Sequence, residues 1–167
     1  MNELKDLKRK IKNYQEKSPE DVKKGLEIAK HIEKSSLNFY TKKIKEFDDQ
    51  SLKNLLEMLK KQEEKHLEII NNLLNNGKWE NARQKLDTEE KPNILPKIKG
   101  GEEERELLLE ARKAEKVAQS FYEKMAQNSK NEIKKFFTHL AKFEKGHFEL
   151  MDELFETITD VSEYNMG

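Results

Sequence analysis

Apolar residues recur every three or four positions along four long stretches of the chain, the period of helices with one buried face. In the first stretch the inward positions read Val22, Leu26, Ala29, Glu33, Ser36, Tyr40, Ile44 and Phe47. Ser18-Pro19-Glu20-Asp21 opens it with an N-cap Ser, a Pro at the first helical position and acids in the first turn. A break at Asp48-Asp49-Gln50 leads into the second stretch, with Leu52, Leu56, Leu59, Glu63, His66, Ile70 and Leu73 inward, and Asn75-Asn76-Gly77 ends it. The third begins near Glu102 and places Leu108, Ala111, Glu115, Ala118, Tyr122 and Met125 on one face. Ser129 and Glu132 have capping-box spacing ahead of the fourth, whose inward positions are Ile133, Phe137, Leu140, Glu144, His147, Met151, Leu154 and Ile158.

Between the second and third stretches, over 77–101, the pattern lapses into Pro92, Pro96 and the pair Gly100-Gly101. Such a length needs a structural reason in a compact domain. The second helix is roughly 37 Å long at 1.5 Å per residue, and an extended linker of this size reaches up to about 80 Å. It can therefore return along the whole bundle, pinned by Trp79, Ile94 and Leu95. The expected fold is all-α: residues 18–158 form a four-helix bundle with one long crossover between helices 2 and 3. Residues 1–17, with Leu4, Leu7, Ile11 and Tyr14 on a narrow stripe, read as an amphipathic helix or arm that packs on the bundle or joins two chains in a homodimer. Residues 159–167 read as a loose tail.

Composition changes this picture little. With 40% charged and only 34% hydrophobic residues, the chain has the balance of a disordered protein, but the strict helical period points to a bundle with a solvated exterior. Thirty-three basic and 33 acidic residues cancel, so no global field draws the protein to nucleic acid or anionic lipid. Six Gly and three Pro are few for a β-rich chain. The lack of Cys excludes disulfides, thiolate chemistry and Cys-ligated iron. No apolar run approaches a membrane span and the N-terminus is too polar for a signal peptide, so a soluble, cytoplasmic protein is expected.

The chemistry lies in polar residues that occupy the inward stripes. Glu33, Glu63, His66, Glu115, Glu144 and His147 all fall where apolar residues belong. They form two sets, each a leading Glu followed at nearly the same interval by Glu-x-x-His, which puts Glu and His one turn apart on one helix face. The surroundings repeat too: Glu33–Tyr40 matches Glu115–Tyr122. The chain is a duplicated helical hairpin. Four buried carboxylates are costly unless they protonate, pair with cations or bind metal. No Lys or Arg shares their level, whereas two divalent cations would balance them. Carboxylates with imidazoles and no thiolate favour two iron ions, with manganese or a mixed pair as alternatives. Ala29, Ser36, Ala111 and Ala118 leave room beside the carboxylates for dioxygen or peroxide. One Glu-x-x-His arises easily by chance in a Lys/Glu-rich chain; two in register with duplicated leading Glu residues do not. His31 and His139 fall on other faces or levels and read as surface or rim positions.

This pattern resembles the ferritin-like di-iron carboxylate proteins. Ile28-Ala29-x-x-Ile32-Glu33, Phe39-Tyr40 and Gln62-Glu63-Glu64-Lys65-His66 are similar to the rubrerythrin branch. The resemblance covers roughly 18–158. It implies iron bridged by Glu63 and Glu144, with Glu33 and Glu115 as terminal carboxylates and one of His66 and His147 on each metal. Tyr40 and Tyr122 match family tyrosines of the catalytic site that hydrogen-bond the carboxylate ligands of the opposite half. The chain departs from rubrerythrins proper in two respects: Ala118 stands where they carry a further carboxylate, and without Cys there is no rubredoxin domain. Electrons would then come from an external donor protein. The resemblance implies a di-iron redox enzyme that reduces peroxide or reacts with dioxygen, in defence against oxidative stress. The alternatives are iron storage without turnover and a helical interaction scaffold.

Overall fold

The computed structural model describes residues 5, 6, 8, 9, 22–80, 82–86 and 95–165. Most of the arm expected over 1–17, the Ser18-Pro19 start signal and Ile94 lie outside the described residues. Among these residues the chain is all-helical: α1 (Val22–Glu46), α2 (Gln50–Asn76), the short α3 (Ala82–Leu86), α4 (Glu102–Gln127) and α5 (Asn131–Asn165). No helix among them is long and apolar enough to cross a membrane.

Side-chain contacts set the direction of each helix. Tyr40 of α1 meets Glu115 of α4, and Tyr122 of α4 meets Glu33 of α1, so these two helices run antiparallel. Gln62 meets His147, and His66 meets Phe143, so α2 and α5 are antiparallel as well. The break after Glu46 reverses the chain between α1 and α2, which leaves α2 and α4 parallel. A parallel pair needs a connection that travels the length of the bundle.

The 77–101 connection shows where it starts and where it ends. Gly77, with φ +63°, takes the left-handed conformation that stops α2, and its N–H donates to the Leu73 carbonyl. Trp79 then packs edge-on against Phe136 near the start of α5, with ring centroids 5.5 Å apart. Ala82 and Leu86 on α3 are buried in the same cluster. At the far end, Ile98 packs with the cluster containing Leu154. Gly100 backs so closely onto Ile158 that a Cβ there would meet Ile158 Cγ2 at 3.0 Å. Asp49 holds this end: one carboxylate oxygen caps α2 by accepting the Leu52 N–H, and the other accepts the Lys99 N–H, each at 3.0 Å. The Lys99 amide, and after it that of Leu52, hold the Asp49 carboxyl below its ordinary range. Of the three residues expected to pin the connection, Trp79 does so but Leu95 does not, being 36% exposed. Ala82, Leu86 and Ile98 take that part.

Two boundaries differ from the sequence pattern. Ser129 does not form a capping box with Glu132: its hydroxyl donates to the Met125 carbonyl at 2.7 Å, one turn back, and so closes α4. Glu132 pairs with Lys135, and Asn131, at φ 57°, turns the chain into α5. Ile158 is buried as the last inward position, while the helical backbone continues to Asn165.

Candidate metal centre

The inward stripes deliver their polar residues to one level of the bundle. Glu33, Glu63, His66, Glu115, Glu144 and His147 are each no more than 6% exposed. Above and below them lie two apolar clusters. One is built from Leu26, Ile70, Leu73, Phe121, Phe136 and Phe137, the other from Leu52, Leu56, Leu59, Leu108, Met151 and Leu154. Helical spacing makes this layer: on each helix the polar residue sits between apolar neighbours on the same face.

Within the layer the side chains form two quartets. Ligand atoms of Glu33, Glu63, His66 and Glu144 lie within 4.8 Å of one another, and so do those of Glu63, Glu115, Glu144 and His147. Glu63 and Glu144 belong to both. Their oxygens divide between the quartets. Glu63 Oε2 is 3.6 Å from His66 Nδ1, and its Oε1 is 3.5 Å from His147 Nδ1. Glu144 Oε1 is 3.8 Å from His66 Nδ1, and its Oε2 is 3.6 Å from His147 Nδ1. Each of these two carboxylates thus spans the pair, one oxygen to a side.

Glu33 and Glu115 face one quartet each. Glu33 Oε2 is 3.4 Å from His66 Nδ1, and Glu115 Oε2 is 3.5 Å from His147 Nδ1. Their other oxygens are held from across the bundle: the Tyr122 hydroxyl donates to Glu33 Oε1 at 2.6 Å, and the Tyr40 hydroxyl to Glu115 Oε1 at 2.5 Å. Burial, then the charge of the facing carboxylates, pushes both phenols well above their usual range, so they remain donors.

The separations suit a metal. Nitrogen and oxygen atoms each about 2.0–2.2 Å from one ion stand roughly 3 to 3.5 Å apart, close to the spacings here and too long for strong hydrogen bonds. Glu33 Oε2, both oxygens of Glu63 and Glu144, Glu115 Oε2 and His147 Nδ1 are buried with no hydrogen-bond partner, an arrangement that calls for a further partner among them. Without one, the carboxyls share protons unevenly. Burial raises Glu33, but the facing His66, Glu63 and Tyr122 more than reverse this and hold it at about 2. Burial and the Glu33 charge push Glu63 up to about 8. Glu144 is driven well above its usual range by burial and by Glu115, Glu63 and Glu33. Glu115, despite burial, is lowered, chiefly by His147, and His147 is in turn held well above its ordinary value by Glu115. The two spanning carboxyls are pushed toward the protonated form, while the two outer ones are held toward the anion by the imidazoles they face.

All six expected ligands and both tyrosines come together. His31 is exposed and His139 half-buried against Phe143, so neither enters the layer. Ala118 is buried among apolar side chains. Gln62 was not anticipated: its amide oxygen lies 2.6 Å from His147 Nε2. The sequence did hold a signal, because Gln62 immediately precedes Glu63 just as Phe143 precedes Glu144. No protein-family model, no curated protein and no solved structure matches this chain.

Proposed function

We propose that this chain is a ferritin-like di-iron carboxylate protein of the rubrerythrin-like branch, a redox enzyme that reduces peroxide or reacts with dioxygen in the cytoplasm using electrons from an external donor. The observation that carries it is the division of Glu63 and Glu144, each with one oxygen toward His66 and the other toward His147. Carboxylates so placed could each be shared by two ions. Two divalent ions held by Glu33, Glu63, His66, Glu115, Glu144 and His147 would neutralise the four carboxylates and would compete with the protons that burial favours on Glu63 and Glu144. Oxygen and imidazole ligands without thiolate suit iron, with manganese as the neighbouring choice.

When bound, a ferrous pair supplies two electrons, one from each ion, enough to reduce one peroxide to two waters as two protons are taken up. The chain's own residues set the stage. Tyr40 and Tyr122 fix one oxygen of each outer carboxylate, which leaves the other aimed at its quartet. Ala29, Ala111 and Ala118 are buried small residues, and the apolar clusters on either side keep water from the layer. Electrons must arrive from outside, since a Cys-free chain holds no iron–sulfur or rubredoxin centre.

Anaerobic Fe(II) titration of the metal-free protein tests this first. A plateau near two irons per chain, abolished by Glu63→Gln with Glu144→Gln, is the expected result, followed by rapid oxidation on adding peroxide or dioxygen. No saturable binding, or bound iron indifferent to both oxidants, overturns the reading.

A further inference from the structure

Apolar side chains close the carboxylate layer toward both ends of the bundle, so the way in lies between helices. Of the eight residues one turn from the four buried glutamates, seven are Ala, Leu or Phe and the eighth is Gln119. Gln119 is only 6% exposed, and its buried Oε1 accepts no hydrogen bond among the described residues. Its Nε2 donates to Glu123 Oε1 at 2.8 Å, which fixes which end of the amide faces Glu123. Glu123 itself is exposed. Each four-residue step along a helix rises about 6 Å and turns by roughly 40°. Glu115, Gln119 and Glu123 therefore form a staircase that climbs from the layer and rotates from the core face of α4 to its edge. Arg112 and Lys116 share that edge and reach Asp152 and Phe148 of α5. The staircase follows the seam between α4 and α5.

We propose that Glu123 and Gln119 are the entry route by which a divalent cation passes from solvent to the carboxylate layer. The inference rests on the di-metal reading and deepens it. An ion leaving water loses oxygen ligands, and an apolar wall offers none in exchange. Glu123 supplies a carboxylate in solvent, Gln119 a carbonyl oxygen one turn further in, and Glu115 the first carboxylate of the layer. Two protein oxygens are too few to retain an ion, which suits transit rather than storage. Beside the layer itself the seam is covered: Lys116 Nζ lies 5.4 Å from the Phe148 ring centroid, and Arg112 pairs with Asp152. Those two cations repel an ion that approaches there, whereas the Glu123 end presents a carboxylate. The corresponding stretch of α1 lacks the staircase. Leu37 and Thr41 stand where the duplication places Gln119 and Glu123, and the Thr41 hydroxyl donates back to the Leu37 carbonyl at 2.7 Å.

Stopped-flow mixing of the metal-free, full-length protein with Fe(II) under anaerobic conditions reads loading. Mixing the loaded protein with an excess of a strong chelator reads release. A route alters both rates by the same factor and leaves the equilibrium alone. Gln119→Leu and Glu123→Gln should each slow loading and release by about 10-fold or more, with the plateau near two irons per chain reached at unchanged affinity. Glu110→Gln makes the same charge change at an exposed position elsewhere on α4 and should load at the wild-type rate. Helix content by circular dichroism separates these effects from unfolding. Wild-type rates in a folded Gln119→Leu overturn this inference alone. A weakened affinity at an unchanged loading rate overturns it too, because Gln119 then acts on the site and not on the path. Equal slowing by Glu110→Gln does the same, since the effect is then one of overall charge. A wild type that binds no iron removes the di-metal reading along with it.

Discussion

The middle of this bundle and its two ends are built from the same helices under opposite rules. Toward the crossover's far end, Leu52, Leu56, Leu59, Leu108, Met151 and Leu154 fill the interior; toward the other end, Ile70, Leu73, Phe121, Met125, Phe136 and Phe137 do so. Each such side chain contributes about 1.5–3 kcal/mol when fully buried. Between them the same stripes bury four carboxyls and two imidazoles. That layer is a liability for the metal-free chain, relieved only by protons shared among its members. Stability resides in the ends and chemistry in the middle. A helix tolerates the arrangement because its apolar periodicity is interrupted for about one turn and then resumes.

Substitutions can separate the two regions. Phe137→Ala empties part of an apolar end and should cost about 3–5 kcal/mol in denaturant unfolding, with two-iron binding retained in the folded fraction. The middle should answer in the opposite direction. Replacing Glu63 and Glu144 together by Leu removes the two spanning carboxyls and leaves Glu33 and Glu115 facing His66 and His147. The metal-free protein should become more stable by about 1–4 kcal/mol, while iron binding disappears. A loss of stability would mean that the carboxylate layer supports the fold after all.

Acidity sharpens the contrast. A carboxyl raised on folding, as Glu63 is from 4.5 to about 8, contributes stability that is complete below pH 4.5 and is lost as pH rises through 8. His147, also raised, loses its contribution in the same direction. Glu33, lowered to about 2, acts at the other limit: its contribution is present above pH 4.5 and is lost as pH falls toward 2. Melting temperatures of the metal-free protein should therefore fall between pH 5 and 8. Those of the iron-loaded protein should rise over the same interval, because ligands that must lose protons bind metal more tightly as pH rises. Parallel slopes would show that the layer does not titrate as a unit. The smallest expected effect belongs to the tyrosines: Tyr122→Phe, or Tyr40→Phe, leaves one buried carboxylate oxygen without its donor and should cost about 1–3 kcal/mol.

Much of this was legible in the primary structure because helices write their buried face into the sequence at a fixed period. The six buried Glu and His positions needed only that period and the duplication, since a Glu in an inward register is conspicuous in a way that a Leu is not. The crossover was legible from its length, but not what holds it. Leu95 looked like an anchor and is exposed, whereas Leu86 lies on a short helix whose burial depends on tertiary neighbours. Ser129 and Glu132 have the spacing of a cap, yet the Ser hydroxyl found the carbonyl one turn back, a local competition that residue spacing does not decide. Gln62 stood in view beside Glu63, but its contact with His147 joins different helices and so was not legible.

Tyr40 to Glu115 and Tyr122 to Glu33 are one contact seen twice. The two halves meet as the subunits of a two-fold dimer do, each presenting the same patch to the other. Two identical chains related by such an axis are obliged to make both ion positions alike, whatever their residues. Joining the halves into one chain lifts that obligation. A change at position 62 is no longer forced to recur at position 143, and the crossover that joins the halves is what frees the two sides of the centre to differ.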